Sequence, residues 1–431
     1  MTANLVQGTV QTTEHVLFFT LVQVTVIIIA ARVAGYLARR VGQPRAVGEI
    51  VAGLLLGPSL FGVLAPETFR LIFRATDTLP ISIMSQIGLI MLMFQIGLEF
   101  DFSHLKSREN KRAVSLISVM GIVVPFVLGL AFGYGSAPHL ASGIPVSGYA
   151  LFMATAFSIT AVPILGRIMM EFDLTRTRIG VITISSAAIN DAVGWTLLAF
   201  ISAVVTAHFS VAGMLMQVAS LLLYVIVCWY VVRQVLRLLV RRFDFDGQAL
   251  PQDLMAILLV IVFTSAMLTS KLGIFAIFGG FMMGVLLHDQ HGLVEAWKHK
   301  VADLVTVFFL PIFFTYTGLR TDVGGLETAE LWFWCAGLVS LAVMGKFGGC
   351  YIAARLSGLK RPEARNIAIM MNTRALMELV VVNLGFDLGV IPSQVFTMLV
   401  LMAIASTIMT APGLRAWLPS MGHAIPAGRD A

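Results

Sequence analysis

Charge is scarce in this sequence. Asp, Glu, Lys and Arg make up 12% of its 431 residues, about half the share of a soluble globular domain. That scarcity excludes a disordered chain and a charged coiled coil. Cysteine is nearly missing: Cys228, Cys335 and Cys350 all fall in apolar stretches with no CxxC pair, which excludes a disulfide scaffold and a zinc site and leaves packing thiols. No basic cluster is present either. The formal charge of +6 is spread over short loops, so no nucleic-acid partner is expected. The first Lys or Arg is Arg32; without a basic n-region ahead of it, the first apolar stretch reads as a retained helix. What is abundant is hydrophobicity: 58% of the residues, with a mean hydropathy of +0.90. The fold class is an all-α polytopic membrane protein, with the lipid bilayer as its solvent.

A bilayer core takes about 20 apolar residues per helix. That rule gives about thirteen segments: 15–36, 44–63, 80–99, 112–135, 147–170, 180–206, 211–240, 252–271, 273–288, 301–319, 328–356, 363–388 and 393–413. The intervening loops alternate in charge. One set holds Arg39, Arg40 and Arg45; Lys106, Arg108, Lys111 and Arg112; Arg176 and Arg178; Arg233, Arg237, Arg241 and Arg242; Lys298 and Lys300; Lys360, Arg361 and Arg365; and Arg415 and Arg429. The other holds only Arg70, Arg74, Lys271 and Arg320. The positive-inside rule then puts residues 1–14 outside as a tail, 15–413 in the membrane and 414–431 in the cytoplasm as a short tail.

An ionisable group near the bilayer centre costs about 2.5–3.5 kcal/mol on insertion scales and marks a functional site by default. Three segments carry one at similar depth: Asp191, Lys346, and Arg374 with Glu378 one turn later. Asp191 follows Asn190 in SSAAINDAVGW, where Ala187, Ala188 and Gly194 leave room for a neighbouring helix. A carboxylate beside a carboxamide oxygen offers hard oxygen ligands to a small cation, and the same carboxylate can hold a proton instead. Binding one or the other is the minimum machinery for exchange. A structural Asp–Lys pair joining two helices is the competing reading, although a buried ion pair is weak evidence for stability. Lys346, in VMGKFGGCY, would neutralise Asp191 when no cation is bound; Gly345, Gly348 and Gly349 favour close helix approach. Arg374 and Glu378 are spaced i,i+4 and can satisfy each other; alternatively Arg374 braces an unwound stretch at Asn372–Thr373.

A second polar interruption lies in ATAFSITAVPILGR, where Ser158 and Thr160 precede Pro163. Proline removes a backbone donor in mid-span, tolerated only where the break faces protein or a water-filled cavity; an ordinary kink is the plainer reading. The interrupted segments are the fifth and the twelfth. Their odd offset of seven means that they cross the bilayer in opposite directions, the layout of an inverted repeat with a midplane site on two crossed discontinuous helices. Glu49 and Glu99 sit near segment ends and read as interfacial partners of nearby arginines, and Arg167 near an end can snorkel. All eight histidines fall in loops or tails; His288, His291 and His299 share one loop, read as solvated rather than metal-binding.

Several stretches in order along the chain resemble the monovalent cation:proton antiporter-2 family: QPRAVGEIVAGLLLGPS from Gln43, IGLEFD from Ile96, SITAVPILGRIM from Ser158, AAINDAVGW from Ala187, FFLPIFFTYTGLRTD from Phe308, GKFGG from Gly345 and MNTRALMELVVVNLG from Met371. The resemblance implies a sodium/proton-antiporter-like fold with a core bundle, approximately 112–206 and 328–413, and a separate dimerisation bundle. It implies that Asp191 is the shared cation and proton site, with Asn190 as its partner and Thr160 and Ser158 as further oxygens. It casts Lys346 as the competing charge, with Arg374 and Glu378 compensating charge nearby. Transport by elevator-like alternating access and a homodimer are implied in the same way. Many electrogenic relatives carry paired aspartates where this chain has Asn190–Asp191, which suggests electroneutral one-for-one exchange of Na+ or K+ for H+. A nucleotide-binding regulatory domain, present in glutathione-gated relatives, is not expected.

The expectation is therefore a multi-pass antiporter of the inner or plasma membrane, serving cation or pH homeostasis, with no cofactor, no metal beyond the transported cation and no enzymatic activity. The rivals are a gated cation channel or a trans-regulated potassium-efflux subunit. A fixed Lys346 charge and the lack of a TVGYG-like filter argue against a channel. An intramembrane enzyme would need a nucleophile–base pair, and no midplane histidine or paired carboxylate supplies one.

Overall fold

The computed structural model describes the backbone of residues 2–75, 78–99, 108–160, 162–174, 177–206, 211–243, 250–272, 276–374 and 376–422. Lys106, Arg176 and Arg429, used above for orientation, lie outside the described residues, as do the side chains of Arg108, Pro163 and Arg167. Among the described residues every regular element is a helix. In chain order the elements are α1 (Thr2–Arg40), α2 (Arg45–Leu55), α3 (Phe61–Leu64), α4 (Pro66–Phe73), α5 (Leu79–Leu98), α6 (Arg108–Leu140), α7 (Val146–Ser158), α8 (Val162–Glu171), α9 (Arg178–Thr206) and α10 (Val211–Val227). A π-helical turn, Cys228–Val232, leads into α11 (Arg233–Arg241). Then follow α12 (Gln252–Lys271), α13 (Ala276–Leu287), α14 (His291–Trp297), α15 (Leu310–Leu319), α16 (Ala329–Leu356), α17 (Arg361–Met371), α18 (Leu376–Asp387) and α19 (Ser393–Trp417).

In lipid every backbone polar group must be satisfied within the protein, which favours long uninterrupted helices. Seven described helices are individually long and apolar enough to cross a bilayer, and a bent pair, His291–Ala302 with Val305–Leu319, makes up to eight. The other expected segments are assembled differently. The segment expected at 44–63 is a short α2 followed by turns and α3, and that at 273–288 is the twelve-residue α13. The fifth and twelfth are each split into two helices, α7–α8 and α17–α18. Length and composition therefore do not establish thirteen complete spans. The first helix also extends to Thr2, across the stretch expected as a tail.

Starts and stops follow local chemistry. Thr177 Oγ1 accepts the Gly180 N–H (3.1 Å) ahead of α9, and Thr328 Oγ1 accepts that of Leu331 (3.2 Å) at α16; each cap satisfies a donor the first helical turn cannot. Glu363 reaches back to the Lys360 N–H at 2.8 Å to start α17.

Two packing groups emerge. Helix α6 lies against α7, α9 and α16, while α16, α17, α18 and α19 pack together around them. Separately, α1 packs on α2, α5 on α13 and α15, α12 on α13, and α2 on α15. The groups also meet at a few polar contacts. Arg320, at the end of α15, donates to Asn383 (3.1 Å) and pairs with Asp387 on α18, flanked by the Tyr316 and Phe386 rings. Thr397 of α19 donates to the Asp322 carbonyl at 3.3 Å, and Gln43 to the Ile408 carbonyl at 3.2 Å.

Candidate ion-binding site

The site is built on the end of α7. That helix stops at Ser158, and Ile159 is extended (φ −72°, ψ 147°). Pro163, four residues on, cannot donate to the Ile159 carbonyl, so helix continuation is impaired there. The last four carbonyls of a helix have no partner in their own helix, and here that end is buried. Two cations from elsewhere in the fold reach it. Arg374 donates to the carbonyls of Ala156 (2.8 Å) and Phe157 (2.6 Å), and Lys346 Nζ to that of Ser158 (2.5 Å). Positive charge at the negative end of the helix dipole is favourable. Arg374 also reaches the Ala342 carbonyl of α16 at 3.1 Å and pairs with Glu378 at 3.5 Å. The guanidinium thus braces the first break, from its own place in the second.

Lys346 is fully buried on α16. Besides Ser158 it donates to the Gly121 carbonyl of α6 at 2.7 Å. The surroundings of Asn190 orient its amide: Nδ2 faces the carbonyls of Ser186 (3.3 Å) and Ser118 (3.1 Å), and Oδ1 accepts from Lys346 Nζ at 3.2 Å. The ammonium comes this close because two glycines flank Lys346. A Cβ on Gly349 would lie 2.8 Å from the Met120 carbonyl oxygen, and one on Gly345 3.1 Å from Pro125 Cα. Gly348 is different: nothing lies within 4 Å of the position its Cβ would take, so it plays no part in the close approach expected of all three.

Asp191 is buried on α9, and its Oδ1 has no hydrogen-bond partner. The Val162 N–H, at the start of α8, faces the carboxylate, and Lys346 acts on it electrostatically. No ion pair to Asp191 within 4.0 Å occurs among the described residues. The simple Asp–Lys pair weighed from the sequence is therefore not the arrangement; Lys346 is held beside Asp191 by carbonyls and by Asn190. Asp191 lines a small cleft with Ile159, Gly194, Leu198, Met377 and Val381, so residues of both interrupted helices border it.

The two breaks meet. Thr160 Oγ1 lies 3.5 Å from the Met371 carbonyl at the end of α17, and Thr373 and Thr410 share a hydrogen bond of 3.0 Å. Asn372 is buried with both amide atoms unpartnered, and Glu378 Oε1 is likewise unpartnered. The Ser158 hydroxyl donates to the Ala154 carbonyl (2.7 Å) and lies 3.3 Å from that of Ile122.

The structure thus gathers Asp191, Asn190, Lys346, Ser158, Thr160 and Arg374 around the two breaks, with Glu378 beside Arg374. Sequence reading made Asn190 a cation ligand; here its oxygen is turned to Lys346. Pro125 and Gly121 of α6 were missed, and Asn372 was named only as part of an unwound stretch. A proline inside an otherwise apolar segment was the available signal for the first.

Comparison with known proteins supplies independent information. The sequence model of a family described as "Sodium/hydrogen exchanger, transmembrane" matches residues 27–418. The Na(+)/H(+) antiporter NhaS4 of Synechocystis is 38% identical over 95% of this chain and 99% of its own length. Cation/H(+) antiporter 17 of Arabidopsis thaliana is 35% identical over 93% of this chain, which spans 48% of that longer protein. Among solved structures, the sodium proton antiporter MjNhaP1 of Methanocaldococcus jannaschii matches with a TM-score of 0.65 over 95% of this chain and 99% of its own, at 14% identity. That likeness is one of fold.

Proposed function

Since the chain belongs to the transmembrane sodium/hydrogen exchanger family, a family of cation/proton exchangers, we propose that it exchanges one Na+ or K+ for one H+ at Asp191. The observation that carries this reading is a buried carboxylate oxygen without a partner at the edge of a cleft, beside an ammonium held back by other acceptors. A protonated Asp191 is neutral and needs no cation. A deprotonated one needs a positive charge close by, and a dehydrated monovalent cation entering the cleft supplies it. Thr160, next to the cleft-lining Ile159, and the backbone of the break are the further oxygens this reading assigns to the cation. Lys346 supplies charge between the two loaded states. Arg374 and Glu378 hold the scaffold of the break.

With a single aspartate at the site, one positive charge moves each way and exchange is electroneutral. A net charge per cycle would instead couple to the membrane potential at about 2.3 kcal/mol per 100 mV. The separation into two helix groups supports elevator-like access, with α6–α9 and α16–α19 moving as a core against a scaffold that forms a homodimer. Charge in the loops supports an outside N-terminus and a cytoplasmic C-terminus in the cell membrane.

The test is dissipation of an imposed pH gradient in proteoliposomes on adding Na+ or K+, with the membrane potential clamped. Cation-dependent collapse in the wild type and none in Asp191→Asn, purified with an unchanged thermal transition, is the expected result. Cation-coupled proton flux persisting in Asp191→Asn would sink the reading.

A further inference from the structure

Lys346 reaches a carbonyl that a proline has set free. In α6 the Gly121 carbonyl would ordinarily accept the N–H four residues on, but that residue is Pro125, which has no N–H and whose ring crowds the carbonyl four residues back. The Gly121 carbonyl instead accepts from Lys346 Nζ at 2.7 Å. Gly121 has no side chain to obstruct the site; a Cβ there would lie 2.9 Å from Cys350 Sγ and 3.3 Å from the Asn190 amide atom that faces Lys346. Pro125 itself packs on Gly345, next to Lys346. The loosened turn of α6 is thus joined to the α7 break, since the next carbonyl, that of Ile122, lies 3.3 Å from Ser158 Oγ.

An ammonium has three donors and no acceptor. The three acceptors around Lys346 are the Gly121 carbonyl, the Ser158 carbonyl and Asn190 Oδ1. No donor remains for Asp191, although Asp191 interacts with the ammonium electrostatically and has an unfilled oxygen. We propose that Pro125 is a positioning residue: by freeing the Gly121 carbonyl it parks the Lys346 ammonium off Asp191, and so limits how strongly that ammonium competes with the transported cation. Replacing Pro125 with a residue that carries an N–H gives the Gly121 carbonyl a helical donor again, which competes with the ammonium for it and weakens that hold. The ammonium donor so loosened has two unfilled carboxylate oxygens in electrostatic reach, Asp191 Oδ1 and Glu378 Oε1. Glu378 is already paired with Arg374, which leaves Asp191. The proposal rests on the reading of Asp191 as the exchange site and of Lys346 as its competitor.

The experiment is a double-mutant cycle in proteoliposomes, with the apparent KM for Na+ and for K+ measured in wild type, Pro125→Ala, Lys346→Ala and the double variant. Pro125→Ala should raise the cation KM on the order of tenfold, the scale of one hydrogen bond to a charged group, with little change in maximal rate. In the Lys346→Ala background the same substitution should have no effect, because its target is gone. A general disturbance of α6 would instead act equally in both backgrounds. Pro125→Gly, which also restores the N–H, serves as the second variant. Where Lys346→Ala stops transport, cation-dependent thermal stabilisation of the purified proteins reads the same cycle through binding. An unchanged KM in Pro125→Ala, or an effect that persists without Lys346, overturns this proposal alone. If Lys346→Ala itself leaves cation affinity unchanged, the charge-competition reading fails and takes this proposal with it.

Discussion

Arg374 gives a prediction whose size follows from its contacts. The guanidinium is fully buried, donates to the Ala156, Phe157 and Ala342 carbonyls, and pairs with the buried Glu378. Arg374→Met keeps much of the apolar stem and removes every donor. The Ala342 carbonyl lies within α16 and keeps its helical partner, so the groups truly orphaned are the two α7 carbonyls and Glu378. Removing one member of a buried ion pair costs about 3–5 kcal/mol, and each orphaned buried acceptor roughly 1–3 kcal/mol. Even with incomplete additivity the sum is on the order of 5–8 kcal/mol, comparable with the whole stability of a typical domain at about 5–15 kcal/mol. The variant should therefore accumulate poorly, or lose roughly ten degrees or more of thermal midpoint in detergent. Arg374→Met with Glu378→Met removes the stranded carboxyl and should recover part of that loss. Arg374→Lys keeps the charge but not the fork that spans two successive carbonyls, and should fall between. An Arg374→Met midpoint within about two degrees of wild type would refute this account of the break.

Two further outcomes are expected. Asn190→Asp places a second carboxylate against Lys346, and exchange in that variant should respond to an imposed membrane potential while the wild type does not; voltage-independent exchange in both would count against the one-carboxylate argument. Gly348→Ala should be neutral or stabilising by up to about 1 kcal/mol through helix propensity, whereas Gly349→Ala drives a methyl to 2.8 Å from the Met120 carbonyl oxygen and should destabilise or impair transport. Thermal midpoints measured side by side decide it, and equal behaviour of the two would contradict the packing of α6 on α16.

The breaks were legible because their cause is covalent and local. Pro163 lacks an N–H whatever surrounds it, and Asn372–Thr373 interrupts an apolar run just before an arginine. Charge in an apolar helix was legible for a similar reason: hydrocarbon penalises Asp191, Lys346 and Arg374 wherever the chain then folds. The glycines were only half legible. VMGKFGG marks a close approach, but which of Gly345, Gly348 and Gly349 face α6 depends on the rotation of α16, a tertiary property.

The partners of the buried charges lay beyond sequence reasoning. Arg374 is four residues from Glu378 and satisfies it weakly at 3.5 Å; its shorter bonds go to carbonyls 218 and 217 residues away. Backbone carbonyls carry no residue identity, so nothing in the sequence marks Ala156 or Phe157 as acceptors. Pro125 was visible as a letter, but its consequence was not, because a freed carbonyl matters only when another helix brings a donor to it.

By itself the sequence determined that this chain lives in a bilayer, where two of its helices break, and that Asp191 and Glu378 are carboxylates at a depth the membrane penalises. Those follow from transfer energies and from the chemistry of single residues. The tertiary structure decided which charges meet which backbone groups, that Lys346 is tied to carbonyls and to Asn190 rather than to Asp191, and that Asp191 keeps an open oxygen beside a cleft. Hydrogen-bond partnership between distant segments depends on distance and angle, and only the packed helices fix these.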